Sequence, residues 1–218
     1  PWGQDDLAAV AKADVDGVLV PKVSRPTDIT ACNAALAEAP SRLKLWAMIE
    51  TCAVLPHLDA LAALGGSTRL STFVMGVNDL AKEMRARLTP ERTPFLPILT
   101  FAVAAARAHG VAILDGVCNE FRDLAVFEAE ARQGLLFGFD GKTLIHPKTI
   151  DAANRAFAPS SDEIAWSRKI IVAHAAAAKQ GKGVVVVDGK LIENLHVVAA
   201  QRLVALAEAI GEMEAAAE

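Results

Sequence analysis

Five times this chain runs an apolar segment straight into a polar residue. The segments are Gly17-Val18-Leu19-Val20-Pro21-Lys22, Leu45-Trp46-Ala47-Met48-Ile49-Glu50, Ser71-Thr72-Phe73-Val74-Met75-Gly76-Val77-Asn78-Asp79, Ala112-Ile113-Leu114-Asp115-Gly116, and Gly138-Phe139-Asp140-Gly141-Lys142-Thr143-Leu144-Ile145-His146-Pro147. Stretches rich in Ala and Leu, helical in character, lie between them. Strands alternating with helices predict an α/β fold with a parallel sheet. Ligands in such folds sit at the carboxyl ends of the strands. The pattern therefore sets Lys22, Glu50, Asp79, Asp115 and His146 on one rim. Five strands are too few to close a barrel by themselves.

Composition narrows the function classes. With 53% hydrophobic and 22% charged residues among 218, the chain can build a packed core. A net charge of −4 and the absence of a basic face argue against a nucleic-acid partner. No apolar run reaches the length of a membrane span, so no membrane partner is expected. The three cysteines, Cys32, Cys52 and Cys118, are scattered and lack a CxxC spacing. They read as reduced thiols of a cytoplasmic protein. Cys118, just past a strand end, also has a reading as a reactive thiol. The opening Pro1-Trp2-Gly3-Gln4-Asp5-Asp6 has no basic leader and no initiator Met, and reads as a mature or truncated start.

Helices are expected over 4–12, 29–38, 54–64, 80–87, 98–109 and 120–133, the last capped by Gly134. A final strand is expected over 135–139, continuing near 144–145. After Pro147 the alternation stops, which divides the chain into a body, 1–147, and an appendage, 148–218. The appendage reads as helices over 149–157 and 162–180, with Ser160 or Ser161 as N-cap and Glu163 in the first turn. A strand over 184–187 and Leu191-Ile192 would pair across the tight turn Asp188-Gly189-Lys190. A last helix, 195–209, is expected to fray through 212–218.

Glu50 and Asp79 carry the sharpest chemistry. Neighbouring parallel strands lie about 5 Å apart, so carboxylates on adjacent strand ends can share one ion. Two carboxylates plus waters and substrate oxygens suit Mg²⁺, which would act as a Lewis acid on a substrate oxygen. The competing reading makes each a carboxylate at a helix N-terminus. Lys22 is either an anion ligand or a solvated lysine. His146 either polarises a carbonyl or binds phosphate, or else bonds the backbone of a proline turn. Asp188 by itself reads as an ordinary turn aspartate.

Taken in order, Val20-Pro21-Lys22-Val23, Met48-Ile49-Glu50-Thr51, Gly76-Val77-Asn78-Asp79-Leu80, Leu114-Asp115-Gly116-Val117 with Phe121-Arg122-Asp123, and Gly138-Phe139-Asp140-Gly141-Lys142 with Ile145-His146-Pro147 resemble the HpcH/HpaI aldolase and citrate lyase beta-subunit family. The resemblance is closer to its citrate-lyase-beta-like and malyl-CoA-lyase-like branch, and Val187-Asp188-Gly189-Lys190-Leu191-Ile192-Glu193-Asn194 extends it towards the C-terminus. It implies a (β/α)8 TIM barrel of the phosphoenolpyruvate/pyruvate type with a C-terminal helical extension, usually trimeric or hexameric. It implies Mg²⁺ on Glu50 and Asp79, with Glu50 and Asp188 catalytic, Asp188 reaching a neighbouring subunit's site. It implies that Lys22, Asn78, Ile145, His146 and Pro147 line the substrate or CoA path. The implied activity is cleavage or formation of a carbon–carbon bond in a 3-hydroxyacyl-CoA thioester, of citryl-CoA or malyl-CoA type, through an enolate. Malyl-CoA thioesterase, CoA-independent 2-keto-3-deoxy acid aldolase and a truncated, non-catalytic assembly subunit are the alternatives. The family's acidic Leu-Glu-Asp segment and Arg-Val-Asn motif have no match here. With a Pro-Trp-Gly opening that resembles a segment just after Arg-Val-Asn, this leads to the expectation that the first three βα units are missing and that 1–147 holds strands 4 to 8.

Overall fold

The computed structural model describes residues 3–217. Pro1 and Trp2, part of the opening segment read above, lie outside the described residues, as does Glu218. The chain forms two compact units, 1–157 and 158–218.

In the first unit, β1 (Gly17–Val20), β2 (Lys44–Ile49), β3 (Leu70–Met75), β4 (Ala112–Asp115) and β5 (Gly141–Lys142) form one sheet in sequence order. Every neighbouring pair is parallel. The helices between them are α2 (Pro26–Ala35), α3 (Leu58–Ala63), α4 (Val77–Met84), α5 (Leu96–Ala108) and α6 (Leu124–Phe137), with α1 (Gly3–Val10) before β1 and α7 (Ile150–Phe157) after β5. The middle strands are the most buried. Leu45, Ala47 and Ile49 of β2 and Phe73 of β3 meet Ile113 of β4, Phe95, and Leu99 of α5 in one core. Near-continuous apolar runs are what a parallel sheet covered by helices requires.

One guanidinium secures the amino end of the sheet. Arg69, immediately before β3, donates to the carbonyls of Pro40 (2.6 Å), Leu43 (3.1 Å) and Ala39 (2.7 Å) just ahead of β2.

Two expectations for this unit need correction. Gly134 does not cap the helix after β4. That helix runs on to Phe137, and Gly138 (φ 92°) ends it. Gly134 is buried within α6, where a Cβ would stand 2.9 Å from Asp115 Oδ2. Consequently 135–137 are helical, and the last strand is the short Gly141–Lys142 rather than 135–139 with 144–145. The first unit runs to Phe157, with α7 packed on α6 through Phe127, Ala131, Ala152 and Ala153.

The second unit contains α8 (Ser161–Ala178), the antiparallel hairpin of β6 (Val185–Val187) and β7 (Lys190–Ile192), and α9 (Asn194–Ala217). Ser160 and Glu163 form the reciprocal cap that opens α8. Asp188 (φ 48°) and Gly189 (φ 76°) make the hairpin turn, which needs two left-handed residues. Ile170, Val187, Ile192, Val197 and Ala200 form the unit's core. The last helix continues unbroken to Ala217 instead of fraying from 212.

Candidate active site

Three consecutive strand ends meet at Glu50. The residue follows β2 directly and is almost wholly buried. Thr51 next to it caps a 3₁₀ turn, Cys52–His57, by accepting from the Val54 N–H (3.2 Å). The same hydroxyl donates to the Val23 carbonyl (2.9 Å), tying the β2 end to the loop after β1. Lys22, in that loop, adopts φ 54° and donates its backbone N–H to Glu50 Oε1 (2.8 Å). On the other side, Gly76 N–H donates to the Ile49 carbonyl (2.9 Å), which draws the β3 end close. Asp79 then stands in the first turn of α4, where the helix dipole favours a carboxylate.

The Lys22 ammonium joins the two acids. Nζ pairs directly with Asp79 Oδ1 and lies 3.6 Å from Glu50 Oε2. That contact holds Lys22 above its usual pKa, chiefly through the Asp79 hydrogen bond. Asp79 is held below its usual value, first by the Lys22 hydrogen bond, with Glu50 a further hydrogen-bonding neighbour. The ammonium thus lies between two hard oxygen donors. Among the described residues no group of three or more His, Cys, Asp or Glu side chains gathers as a metal cage. Two carboxylates facing one cation position fit an ion that keeps most of its coordination sphere for water and substrate.

The other expected rim residues divide. Asp115 does not join Glu50 and Asp79. It is fully buried, turned towards α6, and accepts two bonds from Arg92 Nη1 (2.7 and 2.8 Å) and one from Lys142 Nζ (3.0 Å). Lys142 also donates to Glu130 (2.6 Å) and to the Gly116 carbonyl (2.6 Å). Asn78 is exposed and exchanges two amide hydrogen bonds with Asn119 (3.1 and 2.8 Å), at the edge of a pocket of about 180 Å³. Beyond β5, Ile145 is exposed, and His146 stacks on Phe121 with ring centres 4.9 Å apart. His146 Nδ1 accepts from the Lys148 N–H (3.1 Å), with Pro147 opening a 3₁₀ turn. Cys118 is buried, and its thiol is pushed up to about 11, first by desolvation and then by Glu130, which disfavours the nucleophilic thiolate at neutral pH. In the second unit, Asp188 pairs through both oxygens with Lys169 (2.7 and 2.6 Å).

Sequence reasoning missed Arg92. It comes from the proline-broken loop ahead of α5, where no periodicity marks a buried side chain. Its Nε donates to Gln133 of α6 (2.7 Å).

Residues 1–147 match the model of the HpcH/HpaI aldolase/citrate lyase family. The chain belongs to that family. A (3S)-malyl-CoA thioesterase of Cereibacter sphaeroides is 46% identical over 214 residues, covering 98% of this chain and 73% of the relative. The citrate lyase subunit beta of Escherichia coli is 31% identical over 220 residues, covering 98% and 72%. The crystal structure of CitE from Mycobacterium tuberculosis in complex with magnesium, acetoacetate and coenzyme A is 22% identical. It superposes with a TM-score of 0.74 over 94% of this chain and 73% of that one, a likeness of fold.

Proposed function

We propose that this chain is an enzyme acting on a malyl-CoA-type thioester, with a magnesium ion held by Glu50 and Asp79 and thioester hydrolysis as its reaction. The observation that carries the reading is the convergence of the two carboxylates on one positive charge, the Lys22 ammonium, which supports a cation position at adjacent strand ends. Magnesium in the CitE complex and malyl-CoA in the name of a 46% identical relative support the choice of ion and substrate.

When bound, the cation supplies Lewis-acid polarisation of a substrate oxygen. The protein's own part is positional. Glu50 is buried and fixed by the Lys22 N–H, so its charge stays where a cation needs it. Asp79 supplies the second charge from the more exposed side. Asp188, on the two-residue turn of the hairpin, orients the attacking water or moves the proton, reaching the Glu50–Asp79 centre of another subunit in a trimer or hexamer. Lys22, Asn78, Ile145, His146 and Pro147 line the path of the anionic thioester.

Carbon–carbon cleavage is the second reading, favoured by the 31% identity to a citrate lyase subunit. Products separate the two. Hydrolysis of malyl-CoA releases a free thiol and malate, whereas cleavage releases acetyl-CoA and glyoxylate. The purified protein with Mg²⁺ is expected to give free thiol without glyoxylate. Glyoxylate without thiol would transfer the assignment to the lyase, and turnover of neither kind would overturn both.

A further inference from the structure

We infer that Lys22 is a built-in competitor for the metal position, setting how tightly the Glu50–Asp79 pair takes a divalent cation. This rests on the reading of that pair as a metal site. Lys22 is tied to the site twice, by its backbone and by its side chain. Its N–H holds Glu50 Oε1, and its ammonium contacts Asp79 while facing Glu50 Oε2. The backbone tie comes with φ 54°, a region that a lysine seldom occupies. The left-handed bend is what carries the chain over the Glu50 carboxylate. The main-chain bond needs only the backbone, so the side chain is free to leave while the loop stays in place. More than half of the Lys22 side chain is exposed, so solvent can receive it.

The charge count explains the consequence. Two carboxylates side by side repel each other, and the ammonium offsets one of those charges. A divalent ion must displace this tethered charge or work against it at close range. A unit charge about 4 Å from a divalent ion, in surroundings close to water, changes the ion's affinity by roughly thirtyfold. Lys22 therefore weakens cation binding and supports the metal-free arrangement. Removing its charge exchanges that support for a tighter metal.

The test uses the whole chain, stripped of metal, with Mn²⁺ as the probe and calorimetry or electron paramagnetic resonance as the readout. Lys22→Met is expected to bind Mn²⁺ roughly thirtyfold more tightly than the unaltered protein. In chelator, its melting temperature should fall below that of the unaltered protein, and Mn²⁺ should raise it by more. Lys22→Asn provides the second variant, because Asn accepts positive φ readily and carries no charge. It should tighten Mn²⁺ binding as well. Unchanged or weaker Mn²⁺ binding in both variants, beside normal binding by the unaltered protein, would overturn the competitor role and leave the metal site standing. No Mn²⁺ binding by any of the three proteins would remove the metal site itself.

Discussion

Gly76 lies so close to Glu50 that a Cβ there would press on the glutamate's own Cβ and stand 3.0 Å from Oε2. The β3 end can approach the β2 end only without that atom. Gly76→Ala should therefore force the strand ends apart and cost roughly 1–3 kcal/mol of stability, as overpacking does. Chemical denaturation gives the stability, and Mn²⁺ titration should show weaker binding in the same variant. Unaltered metal affinity would mean that the spacing of the two acids does not set the site.

Glu50 and Asp79 should be indispensable in different ways. Glu50→Gln keeps the shape of a buried side chain and removes its charge, and Asp79→Asn does the same at a half-exposed position. Each is expected to lower kcat by roughly 10²-fold or more, the scale on which charge-stabilising groups act. Thiol release from malyl-CoA reads the rate. A variant that retains full rate with an unchanged magnesium requirement would exclude that residue from the site.

Asp188 serves both a turn and a proposed reaction, and two substitutions separate these. Asn also fits the left-handed first position of the turn, so Asp188→Asn keeps the hairpin and deletes the charge. Turnover should collapse while the melting temperature holds. Lys169→Met, which leaves the carboxylate in place without its partner, should alter stability by under about 1 kcal/mol, as exposed ion pairs do. Equal activity in Asp188→Asn would return the residue to a purely structural role.

Acid should loosen the second unit through Glu163. Its carboxyl is held below the usual 4.5, first by the Ser160 hydroxyl and then by the Ser160 backbone N–H. A depressed carboxyl contributes stability above its unfolded value and loses it as pH falls through its folded value. The stability difference between the unaltered protein and Glu163→Gln should thus be present at neutral pH, shrink as pH drops below 4.5, and vanish in stronger acid. Thermal melts across that range measure it. A difference that stayed constant would show that the cap does not depend on the charge.

Much of this arrangement is legible in the sequence, and the failures have local causes. The segment 70–75 reads as a strand because it is apolar and β-branched, and it is one. The Ser160–Glu163 cap and the Asp188-Gly189 turn are visible because their chemistry is local. Gly134 misleads because a helical glycine, one turn before Gly138, serves packing against Asp115 rather than termination. Asp115 misleads for a related reason. The strand-end pattern finds a carboxylate, and only the fold brings Arg92 and Lys142 to it. Glu50 and Asp79 are legible as neighbours, whereas the ammonium joining them depends on the left-handed turn at Lys22.

The Arg69 clamp has a consequence for how this protein can change. Its three carbonyl partners precede β2, at the opposite end of the strand from Glu50. The anchorage of the sheet and the meeting of Glu50 with Asp79 thus draw on separate residues. Loops around the acids can therefore be rewritten without slackening the hinge-pin at the base.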